Sequence, residues 1–171
     1  MLNLLLWLPV LGGVALLFVS REREALIRQG TLGVMLLQLL LAGWLYLAFE
    51  AGVPGLQFET RLPWIGAWGV HYHVGLDGLN LLLVLLTAFL GPLVVASALR
   101  SITREVKLFH GLLLFLQFTM IGTFLAQDLF LFYVFWEAML IPMFLMIGMW
   151  GGERRIYATL KFFLYTAFGS I

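Results

Sequence analysis

Twenty consecutive residues, Leu129 to Gly148, contain one charged side chain, Glu137, and four more runs of similar length and apolarity precede them. Runs of about 17–25 apolar residues match a bilayer core about 30 Å thick, where only structures that satisfy their own backbone hydrogen bonds survive. This pattern constrains the chain to a bundle of transmembrane helices. Apolar residues reach 63% of the 171 and charged residues 11%, against roughly a quarter charged in soluble domains. A soluble core has no room for that much apolar surface.

We place complete spans at 2–20, 31–49, 78–99, 108–126 and 128–149, with a sixth opening at Ile156 and reaching Ile171. The sixth has no polar flank at Thr166–Ile171, so the sequence reads as an N-terminal portion of a longer protein. The first span does not read as a signal peptide, because Met1-Leu-Asn lacks a basic leader. Cysteine is absent, which removes disulfides and thiolate-held zinc or iron–sulfur sites from consideration. The net charge of +1 gives no reason to expect a nucleic-acid partner.

Charge distribution predicts topology. Arg21, Arg23, Arg28, Arg100, Arg104, Lys107, Arg154, Arg155 and Lys161 fall in or beside the first, third and fifth connections, leaving only Arg61 elsewhere. By the positive-inside rule those connections face the cytoplasm and the N-terminus faces the periplasmic, positive side. The long connection from Glu50 to Asp77, with Pro54, Pro63, Trp64, Trp68 and Tyr72, reads as an aromatic loop lying at the interface.

A carboxylate inside such a helix costs at least about 2.5–3.5 kcal/mol when ionised and marks a site that moves or balances charge. Low dielectric favours a neutral acid, whereas a lysine within about 4–6 Å favours the charged form, so Glu137 is the candidate proton-translocating residue. Pro142 removes one helix donor next to it, at the carbonyl of Ala138. Gln117 and His110 on the fourth span are proton-path candidates: helical rise puts Gln117 roughly 14 Å and Glu137 roughly 18 Å from the same face, and His110 lies near the inner mouth. Lys161, about 10 Å of axial distance from Glu137, is a third. The alternatives are ordinary packing: a Glu that only hydrogen-bonds another helix, a rim histidine, and a lysine reaching the headgroups. The methionines of the fifth span read as packing, and His71 and His73 as interfacial residues with no metal. Asp77 and Asp128 have the position of helix N-caps, and Gly91-Pro92 reads as a kink.

The run Phe135-Trp-Glu-Ala-Met-Leu-Ile-Pro through Trp150-Gly-Gly-Glu-Arg-Arg155, then Ala158-Thr-Leu-Lys-Phe-Phe-Leu-Tyr-Thr-Ala-Phe-Gly-Ser170, resembles the antiporter-like subunit M of proton-pumping NADH:quinone oxidoreductase, respiratory complex I. Val74-Gly-Leu-Asp-Gly-Leu-Asn80 resembles the same subunit, and the first two spans do so weakly. The resemblance implies an all-α fold of about fourteen helices with inverted five-helix repeats, of which this is roughly half. It also implies that Glu137 is the family's essential glutamate, paired with a lysine of a later helix, and that Lys161 is not the pumping lysine. It places FMN, iron–sulfur clusters and quinone in other subunits of the complex, and the partners in neighbouring membrane subunits and the bilayer. A sodium/proton antiporter or membrane-bound hydrogenase subunit, or a structural membrane subunit, is the alternative.

Overall fold

A computed structural model describes Met1–Ser170, and most of these residues are helical. The helices are α1 (Leu2–Leu17), α2 (Glu24–Ala48), α3 (Gly78–Ser101), α4 (Val106–Leu125), α5 (Leu129–Trp150) and α6 (Arg155–Ser170). Four of them, α2 to α5, are long and apolar enough to cross a membrane. The apolar run at the N-terminus forms a helix of 16 residues rather than a full span, about 24 Å at 1.5 Å per residue. It ends early because Phe18 and Val19 tighten into turns on Ala15 and Leu16 (3.2 and 3.1 Å). In contrast, α2 begins seven residues before the predicted start at residue 31. Arg28 extends it there: its guanidinium pairs with Glu24 at 2.9 Å and donates to the carbonyls of Leu99 and Ile102 at the end of α3. The remaining boundaries lie within two residues of expectation.

The connection read as a loop is an antiparallel hairpin. Strand β1 (Gln57–Ile65) pairs with β2 (Val70–Leu76) through Arg61↔His73 and Leu62↔Tyr72, across a 3-10 turn at Gly66–Trp68 that closes on Gly69 at φ 66°, a left-handed conformation glycine adopts without a Cβ clash. Pro63 is the reason the strand was hidden. It removes one ladder donor and is compatible only with an edge or irregular strand, and the register shifts just beyond it, between Pro63 and Ile65.

The hairpin closes one end of the bundle. Tyr72 donates its hydroxyl to Asn3 (2.7 Å), Asn3 donates to Thr60 (3.1 Å), and the Gln127 N–H reaches the carbonyl of His73 (2.8 Å). Trp64 and Trp68 lay their rings edge-on to Phe130. Below it, Leu5, Leu6, Leu45, Val74, Leu76, Ile121 and Leu125 form one buried cluster, and Ile27, Met35, Val95, Leu113 and Leu114 another towards the end rich in Arg and Lys. Helix α4 is central, packed on α1, α2, α3 and α5, whereas α6 packs on α5. The outer faces keep exposed Leu, Phe and Val side chains, as expected of helices that meet lipid rather than water.

Candidate functional site

Asp128 begins the helix that carries Glu137. Its carboxylate accepts from the N–H groups of Phe130 (2.9 Å) and Leu131 (3.2 Å), two orphan donors of the first turn, and its second oxygen accepts from His71 N–H of the hairpin at 3.0 Å. The His71 contact, ahead of the two helix donors, holds the Asp128 carboxyl below the usual carboxylate range. Asp77 caps α3 in the same way, reciprocated by the Asn80 side chain.

Two residues before Glu137, the Phe135 ring packs against Gly122 of α4, where any Cβ would overlap it. That contact fixes the rotation of α5. Glu137 itself is half-buried, about 12 Å along the helix from its capped start, and turns to α6. Ser170 shares its hydroxyl between the Glu137 carboxylate and the carbonyl of Ala167. Phe144 meets Phe163 with ring centroids 5.4 Å apart, and Gly148 faces Thr159. Residue numbers across the interface sum to a constant, so α5 and α6 run antiparallel in strict register. An open cleft of about 460 Å³, lined by Tyr133, Trp136, Tyr165 and Thr166, adjoins Ser170. Among the described residues no cation pairs with Glu137.

The same register puts Lys161 nine residues before Ser170, roughly 14 Å along the axis from Glu137. It is exposed, with its ammonium 5.8 Å and 5.6 Å from the ring centroids of Tyr157 and Tyr165. Gln117 also does not reach Glu137. Its amide donates to Gln38 Oε1 (3.0 Å) and to the Thr87 carbonyl (3.1 Å), which directs it towards α2 and α3. His110, two turns before Gln117 on the same stripe, is wholly enclosed instead of lying at a rim, and neither ring nitrogen has a partner among the described residues.

Gln38 was not singled out in the sequence, yet it joins three helices. Besides accepting from Gln117, its amide donates to the carbonyl of Leu5 at 3.0 Å. Leu5 is the residue whose helical partner would be the N–H of Pro9, which proline lacks, and the Gln38 amide fills that place. A lone polar residue in an apolar run was the available signal. At the hairpin, His73 hydrogen-bonds Glu59 at 2.7 Å, and no group of three or more potential metal ligands occurs among the described residues.

Residues 126–171 match a family model described as the transmembrane region of NADH:quinone oxidoreductase and Mrp antiporters. Subunit M of the NADH-quinone oxidoreductase of Rhodobacter capsulatus is 45% identical over 179 aligned residues, covering 100% of this chain and 34% of its own. Chain 4 of the chloroplast NAD(P)H-quinone oxidoreductase of Amborella trichopoda is 40% identical over 171, covering 99% and 34%. Among solved structures, a chain of respiratory complex I from Thermus thermophilus with bound NADH superposes with a TM-score of 0.83 at 35% identity, over 100% of this chain and 34% of that one. The chain spans about a third of the length of these relatives. On whole-chain similarity and a shared helical architecture, the chain matches one third of the antiporter-like subunit M (chain 4) of NADH:quinone oxidoreductases, and its residues 126–171 carry that family's transmembrane signature.

Proposed function

We propose that the protein is a proton-translocating membrane subunit of an NADH:quinone oxidoreductase, with Glu137 as the proton-translocating residue of this portion. In that reading FMN, iron–sulfur clusters and quinone work in other subunits, neighbouring antiporter-like subunits are its partners, and an energy-conserving bacterial or organellar membrane is its location. The N-terminus and hairpin then lie on the periplasmic side, as the basic residues at the opposite end favour. The six helices act as one membrane domain.

The supporting observation is a carboxylate inside the apolar α5, held by one hydroxyl and paired with no cation among the described residues. An acid so placed holds or releases a proton according to the charge brought to it. The cleft beside Ser170 leaves space for a cation from a segment beyond residue 171. Approach of a lysine ammonium stabilises the carboxylate, and its withdrawal favours return of a proton to the acid. His110 and Gln117 are candidates for a separate polar path on the α2–α4 side, and Lys161 for a contact on the exposed face of α6.

Glu137→Gln in the full-length protein within its complex is the test. It keeps shape and hydrogen bonding but cannot ionise. NADH-driven acidification of proteoliposomes is expected to fall several-fold while native gels show normal assembly; full pumping by the assembled variant would refute the role.

A further inference from the structure

A groove of about 490 Å³ runs between α1 and α4 on the outer surface of the bundle, opening at the end where basic residues gather. Its walls are apolar, and its floor is hollow because a glycine stands on each wall. A Cβ added at Gly13 or at Gly111 would meet nothing within 4 Å. Arg21 and Lys107 stand at the mouth, with Glu105 as the acid among the lining residues.

We propose that this groove binds one anionic phospholipid, its acyl chain along the two glycines and its phosphate on Arg21 and Lys107. Three features select this occupant. The groove extends from Lys107 to Phe115 on α4, about 12 Å of helix, which is close to the depth of one leaflet of a core about 30 Å thick. A transmembrane helix of a partner would need a groove twice as long. Donors are also present for a phosphate. Arg21 is exposed and makes no hydrogen bond or ion pair among the described residues. Lys107 gives two of its three N–H donors to the carbonyls of Leu17 (3.0 Å) and Val19 (2.8 Å), leaving one for an outside acceptor. Finally, two cations against one acid leave the mouth positive, and basic pockets between helices recruit anionic headgroups. The site is distant in the fold from the α5–α6 contact and does not depend on its role.

The test uses the full-length complex in nanodiscs of phosphatidylcholine containing a minor fraction of photoactivatable phosphatidylglycerol, or of phosphatidylcholine bearing the same photoactivatable chain. Labelled peptides are identified by mass spectrometry. Phosphatidylglycerol is expected to label α1 and α4 peptides in preference to phosphatidylcholine. Arg21→Gln should reduce that labelling about fivefold, the effect of one basic group at a membrane surface. Gly111→Leu fills the groove and should abolish the labelling, and Gly13→Leu does so from the opposite wall if the first variant fails to assemble. Equal labelling by both lipids, or labelling that persists in an assembled groove-filled variant, would each overturn the assignment.

Discussion

Replacing Gln38 with leucine isolates one device of the bundle. Pro9 leaves the Leu5 carbonyl without its helical donor, and the Gln38 amide supplies one at 3.0 Å in a fully buried setting. Leucine removes that donor together with the acceptor used by Gln117. Gln117 keeps its bond to the Thr87 carbonyl, so its loss is partial, but Leu5 is left with a buried, unsatisfied oxygen. Such a group costs about 1–3 kcal/mol, and interhelical side-chain bonds in membrane bundles contribute about 0.6 kcal/mol on average. A destabilisation of about 2 kcal/mol follows. The informative comparison is the double variant Pro9→Ala, Gln38→Leu, because alanine restores a backbone N–H that can bond Leu5 within the helix. Unfolding of the full-length protein in mixed micelles by added SDS, followed by tryptophan fluorescence, should show Gln38→Leu unfolding at lower detergent fraction and the double variant recovering about half the loss. If the double variant is as unstable as Gln38→Leu alone, the amide is not completing the proline-broken turn and the reasoning fails.

Three further outcomes are expected. Gly122→Ala forces the Phe135 ring off α4, so it should cost about 1–3 kcal/mol and, under the role proposed for Glu137, lower proton pumping by altering α5, whereas Gly111→Ala, which meets open space inside α4, should leave thermal stability unchanged or raise it by up to about 1 kcal/mol. Asp128→Ala removes a cap worth about 1 kcal/mol and should raise hydrogen exchange in β2 around His71, read by mass spectrometry. The Asp128 carboxyl is held low chiefly by His71, so its contribution is complete above the unfolded value near pH 4 and is lost as pH falls below it. Fluorescence of Trp64 and Trp68 should therefore be flat from neutral pH to about 5 and change only in stronger acid; a transition near neutrality would contradict the assignment.

Much of this architecture was legible because a bilayer leaves few choices. The apolar runs located the helices, and Asp77 and Asp128 marked two starts within a residue, since a capping carboxylate before an apolar run has little other use. The hairpin escaped notice because Pro63 and the scattered glycines suppress the alternation that betrays a strand, and because its stability comes from Asn3, Gln127 and Asp128, distant in sequence. Glu137 stood out by its charge alone. Its neighbours did not: the pairing of Gln38 with Gln117 and the placing of Lys161 on an exposed face depend on helix rotation, and helices apolar all round carry no periodicity to fix it. Ser170 became visible only through the antiparallel register of α5 and α6.

The two oxygens of Asp128 join the hairpin to the helix that carries Glu137. A slack loop would absorb any displacement of the hairpin, whereas a carboxylate bonded both to the His71 N–H of β2 and to the first turn of α5 ties the two directly. An antibody gripping the hairpin would thus hold a handle whose shaft ends about 12 Å away, at the half-buried Glu137.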